Sequence, residues 1–547
     1  MKSEDQMISH LLQRFSTLET QRRDYESTWE QINSYVLPHR GDFQGNQTKG
    51  KIKTRKLFNT TAVQANEYLA ATLHGGLTNA SNKWFELKTK DIMVNEIEIV
   101  KQYLSIVTEA MYAVFDSPTT NFQSQNHELF LDLSGYGTAC LYVDYMPGDG
   151  IRFKAIHLSE IYLAEDKVGQ VDTVLRKFKF TARQAAQFWG IEKLHPKILK
   201  ALENKPDTLF DFLHCVKPND DYDKNSKKNT KLKYSSYYLD YSHKAMIEQS
   251  GYHEMPYLIP RWAKLVGETY GRSPAWSAMP DIQMVNVLTK IAAVSLEKQV
   301  DPPLLMSDDG VMMPLQTRPG GVNFGGLDTD GRPRIQSLKN EGRLDSAMAM
   351  IEKIEKSIDN AYFIDPLMKQ SIKSNVTATE MNQRAEEKLR LMGSQTGRIQ
   401  AEYLNPLMRR VYGILSRAKL IPELPDEIAE LIERAGFEIE YTAPLIRTQR
   451  SQEPVALQRL LESFLPLVNV KPEILDNVNF DRAFRNSAET LGVPMKIMNS
   501  DQEVYEVRKV RAEQMAQQQQ MAEMGEMASK VAELSKAGVL GGGQPSE

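Results

Sequence analysis

Between Ser273 and Asp301 the apolar positions return every three or four residues. Ile282, Val285, Leu288, Ala292 and Leu296, with Gln299, draw one seam, while Asp281, Lys290, Glu297 and Lys298 fall off it. Ser273-Pro274 reads as a cap residue followed by the helical position that tolerates proline, Pro280 should kink the first turn or mark the true start, and Asp301-Pro302-Pro303 ends the run. A second seam, Leu344, Ala347, Met348, Ile351, Ile354, Ile358 and Tyr362, leaves Glu352, Lys353, Glu355, Lys356 and Asp359 facing away. Two such helices predict an antiparallel hairpin. The five prolines and six glycines of 301–340 allow only short strands between them, at Leu304–Met306, Val311–Leu315 and Arg334–Leu338. A helix of about 25 residues reaches roughly 38 Å, so this stalk cannot bury both its faces alone, and copies of itself would supply the missing neighbours.

After a loop at 363–376, Thr377-Ala378-Thr379-Glu380 spells a capping box, and Met381, Ala385, Leu389, Met392, Thr396, Ile399, Tyr403, Leu407, Val411 and Ile414 follow at helical spacing. That predicts a helix of about 40 residues, roughly 60 Å long. Pro406 forfeits a backbone hydrogen bond, so the bend is expected between Glu402 and Pro406.

Towards the N-terminus, Ile8, Leu12, Phe15, Leu18, Tyr25, Trp29, Ile32 and Val36 predict a long amphipathic helix or two joined ones. Further helices are expected at about 61–77 behind an Asn59-Thr60-Thr61 cap, 94–115 and 122–133. Strands follow at 138–145, 151–156, 171–180, 210–216, 234–241 and 257–263, with a short helix starting at Thr181. This is an α+β, mainly helical chain, not an alternating βαβ series. Beyond Lys419, prolines break up smaller helices. From Asp501 the Met524, Met527, Val531, Leu534 spacing predicts a helix shared between chains, with a Gln-rich flexible tail as the competing reading.

Composition narrows the function. With 547 residues and 41% hydrophobic content there is material for several domains. With 67 basic against 71 acidic residues, a net charge of −4, whole-chain charge gives no argument for a nucleic-acid glove or a membrane-surface binder. Cys140 and Cys215 are too few for a disulfide framework and fit a reducing compartment. No stretch approaches the roughly 20 apolar residues of a membrane span, and the start lacks the order of a secretory signal, so the expectation is a soluble protein of a cytosol-like compartment.

Chemistry is sparse. Histidines stand singly, at 74, 127, 157 and 253 among others, without the spacing of a metal site, and no nucleophile elbow occurs. Gly45-Asn46-Gln47-Thr48-Lys49-Gly50-Lys51 spells most of a phosphate-binding loop, but Ile52 stands where the motif needs Ser or Thr and no strand precedes it, so the match reads as chance. Lys49, Lys51, Lys53, Arg55 and Lys56 make the same segment a basic loop, either solvated or in contact with DNA or an acidic neighbour. Neither an active site nor a cofactor is indicated, and a structural or assembly role is favoured.

Several segments carry a family resemblance: Arg23-Asp24-Tyr25 with Trp29, Tyr35-Val36-Leu37-Pro38, Thr54-Arg55-Lys56-Leu57-Phe58-Asn59-Thr60, Leu73-His74-Gly75-Gly76-Leu77-Thr78, Trp84-Phe85, Tyr136-Gly137-Thr138-Ala139, Gly267-Glu268-Thr269-Tyr270-Gly271-Arg272-Ser273-Pro274 and Thr377-Ala378-Thr379-Glu380. In order and spacing, from about residue 20 to 420, they resemble the head-to-tail connecting (portal) proteins of short-tailed bacteriophages. The resemblance implies a portal fold: a wing over 1–272, stem helices at 273–300 and 343–363, a small β-rich clip at 301–342, a channel loop at 364–376, a long kinked tunnel helix at 377–420, a C-terminal helical region at 421–500 and a crown helix with a flexible tail at 501–547. It also implies a homo-oligomeric, dodecameric ring at one capsid vertex of the virion, assembled in the host cytoplasm. That ring would conduct double-stranded DNA and meet the terminase large subunit, a tail adaptor, and major capsid and scaffolding proteins. No enzyme activity is carried over.

On this reading Lys369, Lys373, Glu352, Lys353 and Lys356 are candidates to face DNA, in a channel that should avoid a firm phosphate grip. Met312, Met313, Arg318 and Phe324 are candidates for docking, and Pro406 for the hinge. The alternatives are a tail adaptor or internal head protein and, from the enzyme class, a packaging ATPase using Lys51.

Overall fold

The computed structural model describes all residues except 1–3, 44–53, 80–82, 96, 147, 224–230, 307–314, 317, 325, 328, 329, 339–343, 365–391, 444–478, 482, 486–497, 500 and 537–547. The chain divides into two units, Met1–Gln449 and Arg450–Glu547.

The first unit opens with one unbroken helix, α1 (Glu4–Tyr35), then α2 (Thr61–Leu77), the strand β1 (Glu86–Thr89), α3 (Ile92–Asn95), α4 (Glu98–Asp116) and α5 (Phe122–Tyr136). The hairpin β2 (Leu141–Met146) and β3 (Gly150–Ala155) follows. Next come β4 (Ile161–Glu165), β5 (Val171–Thr181), α6 (Ala182–Trp189), α7 (Pro196–Asn204), β6 (Leu209–Pro218), β7 (Tyr234–Asp240), β8 (Ala245–Tyr252) and β9 (Tyr257–Leu258). Then come α8 (Pro274–Val300), β10 (Leu304–Met306), β11 (Ile335–Ser337), α9 (Leu344–Ala361), α10 (Gly393–Ile399), a π-helical segment (Gln400–Leu404), α11 (Asn405–Arg417), α12 (Asp426–Ala435) and β12 (Phe437–Glu440). In the second unit α13 (Asp501–Lys536) is a 36-residue helix, so Gln517–Gln520, where a flexible tail competed with a helix, are helical.

All strand pairings between these elements are antiparallel, with β4-β5-β6-β7-β8 in one sheet and β3-β2-β9 in another. Alternation gives the five-stranded sheet two covered faces. The N-terminal half of α1 lays Ile8, Leu11, Phe15 and Leu18 on Leu175, Leu213, Tyr237 and Leu239. On the other face α6 and α7 bring Ala185, Trp189 and Ile198 against Phe178, Phe212 and Tyr238. The largest core joins the C-terminal half of α1 to α2, α5, α8, α9 and α11, and includes Trp29, Leu69, Leu133, Ile282, Ile358 and Val411.

Several expectations change. Strands β1, β4, β8 and β12 and helix α7 were not foreseen, and the strand expected at 257–263 shrinks to Tyr257–Leu258 with single bridges at Arg261 and Ala263. Thr181 caps α6 with the reciprocal Gln184 bonds of a capping box. Thr60 makes no side-chain cap on α2; Asn59 does the work one residue earlier, its Oδ1 accepting the Thr61 amide at 2.9 Å. Pro280 lies inside α8, whose start is Pro274. The capping box at Thr377 and the strand at Val311 fall outside the described residues.

Candidate functional site: the root of the helical hairpin

The hairpin of α8 and α9 is set in place at two points, and the helix that follows it at a third, each built from residues far apart in sequence. At the first, two tight backbone runs cross. Gly137 has φ +89°, and a Cβ there would meet the backbone of Arg272 and Ser273 at 2.5 Å; a Cβ on Gly271 would meet the Gly137 carbonyl oxygen at 2.4 Å. Only glycine fits either position without moving main chain. Thr138 Oγ1 accepts the Gly271 amide at 2.7 Å, and Trp276 Nε1 donates to the Tyr136 carbonyl at 3.3 Å. Ser273 does not cap α8 through its side chain; its hydroxyl donates to the Gly135 carbonyl at 2.5 Å and ties the helix start to α5. Two of the motifs read from the sequence, 136–139 and 267–274, are therefore one structural joint.

At the second point, the turn Thr54–Thr61 is held by both hairpin helices. Asn286 of α8 accepts the amides of Phe58 at 2.7 Å and Asn59 at 3.3 Å through Oδ1, and its Nδ2 donates to the Lys56 carbonyl at 3.0 Å. Glu355 of α9 accepts from Asn59 Nδ2 at 2.7 Å and from Thr61 Oγ1 at 3.3 Å. Glu355 is thus a fastener of the hairpin rather than part of its free charged face, and Asp359, also assigned to that face, is buried. Both corrections have one cause: α2 and its entry turn pack where the apolar seam alone leaves α9 open.

The third point is the π-helical segment. Its wider turn carries Glu402 and Tyr403. Arg261, fully buried, donates to Glu402 from its amide at 3.0 Å, from Nε at 3.1 Å and from Nη2 at 2.7 Å. The same guanidinium bonds Glu165 and the carbonyls of Thr269 and Gly169. A buried cation needs this full set of acceptors. Tyr403 OH donates to Asn126 Oδ1 at 2.6 Å, fixing the segment to α5 as well. The bend expected at Glu402–Pro406 adjoins this segment, Gln400–Leu404; the backbone stays helical across Leu404 and Asn405, so Pro406 follows inside one continuous helical run with no N–H to donate back along it.

The other proposed residues are scattered along the hairpin. Glu352 and Lys356 on α9 are exposed and paired at 2.8 Å, and that hydrogen bond lowers the Glu352 carboxyl below its usual range; Lys353 is exposed beside them. At the tip, β10 and β11 pair Leu304 with Ser337 and Met306 with Ile335, with Leu304, Leu305 and Met306 all exposed. Arg318 and Phe324 are exposed in the turns beyond, Phe324 at 72%. Arg55 and Lys56 lie exposed in the turn Thr54–Lys56. Lys49, Lys51, Lys53, Met312, Met313, Lys369 and Lys373 fall outside the described residues. No group of three or more His, Cys, Asp or Glu among the described residues could hold a metal ion, and no described helix is long and apolar enough to cross a membrane.

One feature of α8 escaped the sequence pattern. Opposite its buried seam, Met284, Val287, Ile291 and Val294 form a second apolar stripe at steps of three and four, each 40–57% exposed. Lys290 stands beside it with its ammonium 5.3 Å from the Phe58 ring.

The chain belongs to the bacteriophage head to tail connecting protein family, whose pattern it matches over residues 9–498. It is 28% identical over 511 residues to the portal protein of Salmonella phage epsilon15 and 26% identical over 514 residues to the probable portal protein of Bordetella phage BPP-1, in both cases across 91% of this chain and 90% of the relative. A chain from the virion of the native gene transfer agent particle overlays 78% of this chain and 94% of its own length at 11% identity with a TM-score of 0.37, a likeness too loose to bear on the fold.

Proposed function

We propose that this chain is the subunit of a portal ring, a homo-dodecamer at one capsid vertex through which double-stranded DNA enters during packaging and leaves during ejection. The body built from α1 to β9 with α10 and α11 forms the wing, α8 and α9 the stem, residues 301–342 the clip, and the helices after 421 the C-terminal helical region and crown. The observation that carries this reading is α8 itself. A helix with apolar stripes on two opposite faces, one buried in its own core and one bare, has the surface of a subunit rather than of a finished body.

The clip, with exposed Leu304, Leu305, Met306 and Phe324, is the docking element for the terminase large subunit and later the tail adaptor. Capsid and scaffolding proteins meet the wing. The stem is suited to passing DNA because its basic groups are mixed with acidic ones, with Lys356 paired to Glu352, which weakens any firm grip on phosphates. Lys369 and Lys373 are the residues proposed to touch the DNA in the channel loop, and the π-helical segment next to Pro406 is where the long helix changes direction.

Electron microscopy of the purified full-length chain tests the reading. Closed rings with a central opening wide enough for duplex DNA are expected; a stable monomer under every condition would overturn it.

A further inference from the structure

The fold brings together two histidines that stand apart in the sequence. His74 lies in the last turn of α2 and His127 on α5, with their rings 5.8 Å apart between centroids and at 82° to each other. Gln123 sits one turn before His127 on the same face of α5. Three polar atoms gathered here, His74 Nε2 and both amide atoms of the Gln123 side chain, are buried and form no hydrogen bond with a described residue. Gln123 is close enough to act on the His74 imidazole, so the three atoms belong to one polar site between α2 and α5. Leaving them unpaired side by side is costly.

Both helices are fixed beside this site. The Thr78 amide donates to the His74 carbonyl at 3.0 Å, and the Thr78 hydroxyl accepts from Asn126 Nδ2 at 2.6 Å. Asn126 lies between Gln123 and His127 on α5 and accepts from Tyr403 in turn. The donor atoms are therefore carried on rigid elements, as a set of ligands requires. Their chemistry narrows the occupant. Two imidazoles bound at about 2.0–2.1 Å to one tetrahedral ion set their ring centroids roughly 5–6 Å apart, the spacing found here. Burial, and after it His127, hold the His74 imidazole below its usual 6.5, which keeps it in the neutral form that coordinates metal. No lysine or arginine is among the described groups acting on that ring. Imidazoles with one amide oxygen suit zinc and similar ions, whereas calcium and magnesium prefer sets of oxygen ligands.

We infer that His74, His127 and the Gln123 amide oxygen bind one divalent transition-metal ion of the zinc type, with water as the fourth ligand, and that the ion staples the end of α2 to α5. The third protein donor is an amide, so the site lies outside the usual groupings of three His, Cys, Asp or Glu. With no carboxylate in the set the ion keeps its charge, and the half-buried His127 leaves it open to water. The inference stands independently of the portal reading.

Zinc titration of the full-length chain, first stripped with a chelator, tests it. One equivalent per chain should bind and raise the thermal midpoint, and binding should weaken about tenfold on acidification below pH 6.5, as protons compete for the imidazoles. Cobalt in place of zinc should give the absorption of a tetrahedral nitrogen and oxygen centre without thiolate charge transfer, since Cys140 and Cys215 are buried elsewhere. His74→Asn and His127→Asn should each lose the equivalent. His195→Asn, in the other close histidine pair, should keep it. His127→Asn decides the matter if His74→Asn disturbs the end of α2, because His127 is only half-buried. An unsubstituted chain that binds no zinc, a folded His127→Asn variant that binds it unchanged, or loss of the equivalent in His195→Asn instead overturns the inference.

Discussion

Arg261 and Glu402 are 141 residues apart and share three hydrogen bonds, two from the guanidinium and one from the arginine's own amide. Breaking a buried charge pair on one side costs about 3–5 kcal/mol, because the remaining charge keeps its desolvation penalty. Arg261→Ala and Glu402→Ala should both lower the thermal midpoint of the first unit by several degrees, and the double variant should lose less than their sum. Differential scanning fluorimetry of the three variants checks it; strict additivity would mean that the pair is not coupled.

Asn286 of α8 bonds the backbone of the turn at 56–59 three times, accepting the amides of Phe58 and Asn59 and donating to the Lys56 carbonyl. Asn286→Ala leaves those amides without their acceptor, a loss of about 1–3 kcal/mol. Hydrogen exchange should speed up at Phe58 and Asn59 and remain unchanged in the five-stranded sheet.

Two buried groups give stability opposite dependences on pH. His214 is buried between Tyr257 and Ser236, and burial holds its imidazole well below the usual 6.5. The unfolded chain therefore binds a proton that the folded one refuses, and this contribution to stability is intact above pH 6.5 and is lost as pH falls below it. His214→Gln should flatten the fall in thermal midpoint on the acid side.

Asp132 has the opposite sign. Its carboxyl lies 2.9 Å from Arg40, yet full burial, with Glu128 nearby, outweighs that attraction and raises it from 3.8 to about 7. Between those values the folded state holds the extra proton, so this group's contribution to stability declines as pH rises from about 4 to about 7. Relative to the unsubstituted chain, Asp132→Asn should gain thermal midpoint across that window; a difference independent of pH would exclude the assignment.

On the portal reading, the proposed clip and channel loop should be separable in function. Phe324→Asp with Arg318→Glu should abolish capture of the terminase large subunit while leaving ring assembly intact. Lys369→Glu with Lys373→Glu should change the amount of genome packaged or retained, with docking unaffected. An unaltered genome content would remove the two lysines from the mechanism.

The hairpin was legible because α8 and α9 each carry a long apolar period between unmistakable punctuation, Ser273-Pro274 and Asp301-Pro302 on one side and Tyr362 on the other. Its fastenings were not. Asn286 sits inside the apolar seam of α8, and a lone amide there was a readable sign of a polar partner, but nothing local says that the partner is the turn at 54–61. Glu355 misled for the converse reason: a seam drawn only through apolar residues counts a carboxylate as outward even where another helix covers it. β8 was missed because an edge strand half in water shows little alternation, and β12 because four residues mean little until β1 is beside them.

That last pairing has a consequence for synthesis. Glu86–Thr89 emerges from the ribosome early and has no strand beside it until Phe437–Glu440 is made. For most of translation those four residues thus have no strand to pair with, and an unpaired strand segment is a surface on which nascent neighbours can join wrongly. Completion of the fold is timed by the last part of the unit to be translated, so a truncated chain remains marked as unfinished by its own unpaired strand.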